Sequence, residues 1–190
     1  MRCSPYGDVM TDRPHAHPDE VAWLVAQQQV RDLYYRYCRG IDRRDLDLVR
    51  SCYHPDATDD HGEYSGGVDG FIEHARASLQ RFERTMHFLG NILVEQDEED
   101  PDRARGEAYG FAHHRLAASS TRPARDFVVA LRYVDDLARR GGVWRIARRV
   151  CVFEWSRMDP VGDSSYRFPE GAQRGQVDGS DPVSWPTLES

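Results

Sequence analysis

The chain contains no lysine: all 25 of its basic residues are arginine. A Schiff-base enzyme or a pyridoxal-phosphate enzyme needs a lysine amine, so both classes are excluded. A nucleotide-binding P-loop is excluded as well, since it needs its lysine and no glycine-rich match is present. The all-arginine usage is read as compositional and implies no mechanism by itself. No run of about 18 apolar residues occurs, so no segment is expected to span a membrane. The opening stretch MRCSPYGDVMTDRPHAHPDE has no apolar core and does not read as a secretory signal. Cysteine is scarce. Cys3, Cys38, Cys52 and Cys151 form no CxxC pair, so reduced thiols and a cytoplasmic location are the expectation. Positive charge is in deficit, with a formal net charge of -7, which argues against a nucleic-acid partner. No GxSxG stretch exists and no cysteine stands beside a histidine, so no nucleophile constellation is present.

What the chain does contain fits one domain of 190 residues with polar extensions. Residues 1–17 read as a mobile leader, 18–157 as the folded domain and 158–190 as an irregular tail whose Tyr166, Phe168 and Trp185 offer docking points. Apolar residues from Val21 to Ile41 recur at three- and four-residue steps, which predicts a helix over 18–40 with Gly40 at its end. Asp45 is placed to cap a short helix running to about Tyr53, and His54-Pro55-Asp56 reads as a break. Residues 57–64 suggest a short strand, and Val68 to about Arg84 a further amphipathic helix. The period then changes to two, predicting strands at Met86–Gln96, Ala104–Ala117, Phe127–Asp136 and Val143–Trp155. Short connections and no intervening helices predict an antiparallel meander. The fold class is therefore α+β, with a curved, mostly antiparallel sheet wrapped around N-terminal helices as a cone that encloses a pocket.

Chemistry is sought in polar residues on faces that should be buried. Strand alternation places His87, Leu89, Asn91 and Leu93 on one face. It likewise groups Tyr109, Phe111, His113 and Arg115, with His114 on the opposite side. Asp42 falls at the end of the apolar face of the first helix, where an unpaired carboxylate is costly and a histidine is the natural partner. An Asp–His pair in an apolar pocket is a general-base device, since the carboxylate fixes one ring nitrogen and leaves the other to take a proton. Each candidate also has a plainer reading: a strand histidine can be a satisfied core residue, and Asp42 can cap the next helix, although Asp45 is better placed for that. His61 in Asp59-Asp60-His61-Gly62 has the density of a metal site but lacks HxH or HExxH company, so no metal is assigned. Arg148 and Arg149 lie on opposite faces of the last strand, so one of them points inward.

The stretches YYRYCRGIDRRDLDLVRSCYHPDAT, TMHFLGN, ARGEAYGFAHHRL and LRYVDDLARRGGVWRIARRVCVFEW, in that order, resemble the SnoaL-like branch of the nuclear transport factor 2-like superfamily. The resemblance implies a cystatin-like, cone-shaped α+β barrel with a deep apolar pocket. It is nearest to the scytalone dehydratase, bile-acid dehydratase and hexachlorocyclohexane dehydrochlorinase branch, which implies a lyase that works without a cofactor on a small, largely apolar, ring-containing substrate. Carried over residue by residue, it implies Asp42 and His87 as a dyad and His113, in a His-x-Arg context, as a further catalytic group. Tyr37 and Tyr64 are counterparts of the family's pocket tyrosine, and Arg148 of a pocket arginine; Asn91 and Phe111 complete the expected substrate wall. Ile41 stands where scytalone dehydratase has a tyrosine, which departs from that enzyme's pattern. The same dyad would serve an isomerase or a polyketide-type cyclase, and a non-catalytic binding or partner subunit is the third alternative. By analogy the chain is expected to form a homodimer or homotrimer through the outer sheet face.

Overall fold

In the computed structural model, residues 20–162 and 168–183 are described. The elements follow in the order α1 (Glu20–Arg43), α2 (Leu46–Ser51), β1 (Tyr53–Asp60), β2 (Ser65–Gly67), α3 (Val68–Leu79), β3 (Arg84–Gln96), β4 (Arg103–Leu116), β5 (Arg125–Arg140) and β6 (Val143–Pro160). One six-stranded mixed sheet has the order β2-β1-β6-β5-β4-β3 and curls around the helices without closing. The meander from β3 to β6 is antiparallel as predicted. Contrary to expectation, β1 pairs in parallel with β6, which makes strand out of the stretch expected as a break at His54-Pro55-Asp56. That pairing depends on a partner some 90 positions away, which no local pattern reports.

The helix α1 buries Val30, Leu33, Tyr34, Tyr37, Cys38 and Ile41 against the concave sheet face. Its first turn differs from expectation: Val21, Leu24 and Val25 are exposed, because that end reaches beyond the sheet. Gly40 does not end the helix. It lies inside it, and a Cβ there would come within 2.7 Å of Val49 Cγ2, so the glycine lets α2 pack close. The helix instead stops at Arg44, which takes the left-handed conformation (φ 56°), while the Asp45 backbone N–H donates to Gly40 O. Asp45 then caps α2, its carboxylate accepting from Leu48 N at 2.9 Å. The helix α3 ends at Leu79, short of the expected Arg84, because Arg84 already pairs with Arg115 in the sheet.

The concave face of β4 carries Ala104, Gly106, Ala108, Gly110 and Ala112. The space above these residues is already taken: a Cβ on Gly106 would meet Tyr34 Oη at 2.3 Å. Crowding by α1 thus selects small residues inside, and Tyr109 and Phe111 face outward. Beyond the sheet, part of the tail docks on the C-terminal end of α1. Asp181 is buried, pairs with Arg43 at 2.5 Å and accepts from Val183 N at 3.0 Å; Arg39 donates to Val183 O at 2.8 Å. The leader, Tyr166 and Trp185 lie outside the described residues, and Phe168 is exposed.

Candidate active site

A cavity of about 690 Å³ opens between the helices and the concave sheet face. Its walls are mainly aromatic and aliphatic, and four histidines face it: His61, His74, His87 and His114.

Asp42, in the last turn of α1, and His87, on β3, are in direct contact. Asp42 Oδ1 accepts from His87 Nδ1 at 2.7 Å and from Thr85 Oγ1 at 2.9 Å, and Oδ2 accepts from the His87 backbone N–H at 2.8 Å. Alternation along β3 turns Thr85 and His87 to the same side, so both converge on one carboxylate. Burial pushes the Asp42 carboxyl up, but the donors from His87 and Thr85 more than offset it and hold it below its ordinary value of 3.8. Asp42 is therefore a lasting anion. It fixes the proton on His87 Nδ1 and leaves Nε2 toward the cavity with a free lone pair.

His114 stands against this pair, its ring 5.5 Å from that of His87 and nearly perpendicular to it. Burial and the neighbouring His87 lower its pKa to about 4, so the ring is neutral at pH 7. Its Nδ1 faces the Phe127 carbonyl at 3.4 Å, which places the proton there and leaves Nε2 as an acceptor.

On the opposite side, His61 Nδ1 meets Asp59 Oδ1 at 2.9 Å, and Tyr53 Oη donates to Asp59 Oδ2 at 2.6 Å. Asp59 is fully buried. The His61 ring lies among Phe71, Tyr133 and Phe153, with centroids 5.1, 6.0 and 6.5 Å away.

Beneath the cavity, Arg149 and Asp135 form a fully buried ion pair with two parallel hydrogen bonds of 2.8 and 2.6 Å. The guanidinium carbon sits 4.2 Å from the Tyr37 ring centroid and 4.1 Å from that of Tyr133. Arg149 Nη1 has no hydrogen-bond partner, and these ring faces take its place.

Of the residues expected at the site, Asp42 and His87 are brought together, and Tyr37 lines the cavity. Five others are placed elsewhere. His113 faces outward and pairs with Asp126 at 3.0 Å; the crowding that turns the small residues of β4 inward puts His114 inside in its stead. Phe111 shares that outer face and packs on Trp155. Asn91 is exposed because a bulge at Gly90–Asn91 reverses the alternation of β3. Arg148 is exposed and Arg149 buried, since β6 bulges at Ala147 and lets both Ile146 and Arg149 face inward. Tyr64 sits behind the wall, stacked on His74, with its hydroxyl donating to Gly67 O at 2.6 Å. The Asp59–His61 pair was not expected, although both residues stand in the acidic stretch weighed for a metal. The two are separated by two positions, the strand period, and this spacing was the available signal. Among the described residues no group of three His, Cys, Asp or Glu side chains is arranged to hold a metal ion.

A family model described as a SnoaL-like domain matches residues 24–150. No curated protein matches the chain by sequence. Among solved structures, hexachlorocyclohexane dehydrochlorinase LinA-type3 from Novosphingobium barchaimii is similar at a TM-score of 0.65 and 18% identity, over 80% of this chain and 100% of that one. A protein of Novosphingobium aromaticivorans provisionally named a scytalone dehydratase is similar at 0.62 and 19%, over 80% and 97%. A Nostoc punctiforme protein with a cystatin-like fold is similar at 0.56 and 16%, over 68% and 92%. At these identities the likeness is one of fold.

Proposed function

The chain belongs to the SnoaL-like domain family, and on that premise we propose that it is a lyase working by Asp–His acid–base chemistry on a small, largely apolar, ring-containing substrate. The observation that carries the proposal is the Asp42–His87 pair at the wall of a mostly apolar cavity, held at 2.7 Å, with the Asp42 hydrogen bonds among the described residues supplied by Thr85 and His87. His87 Nε2 takes a proton from carbon. Asp42 holds the ring in place and balances the charge that forms on it. The apolar walls exclude water and strengthen both effects. His114, neutral and presenting Nε2, accepts from a substrate hydroxyl and adds no second positive charge beside His87. The names of the similar dehydrochlorinase and dehydratase-type proteins support elimination as the outcome.

The test is a panel of ring compounds carrying a hydroxyl or a halogen β to an acidic C–H, followed by product formation. A general base contributes about 10²–10⁴-fold, and His87→Ala should lose at least that while keeping its circular-dichroism spectrum and melting behaviour. Full turnover by the folded variant refutes the assignment. We also propose a cytoplasmic homodimer or homotrimer joined through the outer sheet face, where Met86, Phe88, Phe111 and Trp155 are exposed. Sedimentation showing a monomer at micromolar concentration would count against the assembly.

A further inference from the structure

We propose that Asp181 is a positioning residue: the tail segment 176–183 clips the last turn of α1 through Arg43 and Arg39 and thereby holds Asp42 in place against His87. The proposal rests on the lyase reading given above. The clip lies beyond residues 24–150, so it belongs to this chain's own extension and not to the matched domain.

Asp42 is the next-to-last residue of α1. A helix end is a weak place to hold a carboxylate: its last carbonyls lack intrahelical donors, the turn frays, and the negative end of the dipole opposes an anion. Three consecutive side chains tie this turn to three parts of the fold. Asp42 bonds to β3, and Arg44 Nη2 donates to Phe82 O at 2.6 Å. Arg43 Nη1 donates to Asp181 Oδ2 and to Gln176 O, both at 2.5 Å. One turn earlier, Arg39 Nη2 donates to Val183 O at 2.8 Å. On the tail side Asp181 is 7% exposed, and its carboxylate also accepts from Gln176 N at 2.6 Å and Val183 N at 3.0 Å. A solvated extension has no reason to bury a carboxylate, since desolvation is costly unless the group is paired. The Gln176 N–H, with the Arg43 charge behind it, holds the Asp181 carboxyl below its ordinary 3.8, so the clip is ionic at neutral pH. Among the described residues no tail side chain lines the cavity. The segment therefore acts on Asp42 through Arg43 and not as a cover over the substrate.

Without the clip, Arg43 returns to solvent and the turn loses one of its three holds. Asp42 then samples positions in which the His87 Nδ1 proton is not held. A displacement of about 1 Å costs up to about 10²-fold in rate, while the apolar walls that bind substrate are untouched. The loss accordingly falls on kcat and not on KM.

The experiment takes two readouts on the full chain. The first needs no substrate: the exchange with water of the His87 Nδ1 proton, followed by low-field proton NMR and assigned by its disappearance in His87→Gln. Asp181→Asn and Arg43→Gln are each expected to speed this exchange about 10-fold or more at temperatures where circular dichroism shows the variants folded. The two leave local charges of opposite sign, so an effect common to both reports the clip and not the charge. Asp178→Asn, in the same segment with its carboxylate on Ser180, should change nothing. The second readout is turnover of the β-hydroxy or β-halo ring probe that the wild type uses best. Both clip variants should lower kcat about 10–10²-fold with KM within about 3-fold. Unchanged exchange, faster exchange in only one of the two folded variants, an equal change in Asp178→Asn, faster exchange with kcat unaltered, or a loss expressed in KM alone each overturns the proposal. A wild type without the protected proton overturns it too, since there is then no held pair to position. If one variant fails to fold, the other carries the test; unfolding of both overturns the proposal, since the clip would then hold the whole fold and not one turn. Failure of the lyase reading shows separately, as a wild type that turns over no probe or a His87→Gln variant that keeps full turnover. The exchange comparison then decides the role of Asp181 by itself.

Discussion

Asp135→Asn tests how the cavity floor is held. The wild-type pair is fully buried, joined by hydrogen bonds of 2.8 and 2.6 Å, and enclosed by tyrosine rings at 4.1–4.2 Å from the guanidinium carbon. The substitution keeps the side-chain size and one acceptor, but it leaves the Arg149 charge buried with only ring quadrupoles to compensate. Breaking one partner of a buried pair costs about 3–5 kcal/mol. A domain of this size loses about 2–4 °C in Tm per kcal/mol, so the expected fall is about 6–20 °C. The double variant Asp135→Leu/Arg149→Met removes both charges and fills similar volume, and it should regain most of the loss. Urea unfolding by tryptophan fluorescence, with calorimetry for Tm, supplies the double-mutant cycle and its coupling energy. A single-variant shift below about 2 °C, or a double variant as unstable as the sum of the singles, would refute the argument, since either result means the charge is not confined as the geometry requires.

Asp42→Asn should cost about 10²–10⁴-fold in kcat by freeing the His87 ring and removing its counter-charge, measured on the probe that the wild type turns over best. The Asp42 carboxyl lies below its ordinary 3.8, so its contribution to stability is present above that pH and is lost as pH falls through the lower folded value. The stability gap between wild type and Asp42→Asn should accordingly narrow below pH 4, as read by urea midpoints; a constant gap contradicts this. His114 is depressed from 6.5 to about 4, so between those values the unfolded chain takes up a proton that the folded one does not, and stability drops as pH falls through that window. His114→Gln should remove on the order of 2–3 kcal/mol of that pH dependence, while His113→Gln, on the outer face, should leave both it and the turnover unchanged. Gly62→Ala should destabilise by about 1–3 kcal/mol through its positive φ, and by more through the Phe153 contact; a neutral Tm would refute it.

Much of the architecture was legible because periodicity is local. The spacing in α1 and the change to period two after Arg84 marked the elements, and short connections marked the meander. Asp42 and a strand histidine were legible as partners for a different reason, since a carboxylate ending an apolar face needs one; that the histidine is His87 came with the family resemblance. Asp59 and His61, two positions apart, carry the same period-two signal.

What the chain determined by itself is the set of elements, the absence of amine chemistry that follows from having no lysine, and the need of Asp42 for a partner at the end of an apolar helix face. Which of two adjacent residues looks into the cavity was decided only by the tertiary structure. One extra residue at Gly90–Asn91 and one at Ala147 each reverse the alternation, so Asn91 and Arg148 turn out and Arg149 turns in. On β4 the packing of Tyr34 over Gly106 admits only small side chains inside, and His114 rather than His113 follows from that parity. A bulge is stabilised by the partner strand and a concave face is filled by a distant helix; both are long-range facts, and local pattern carries neither.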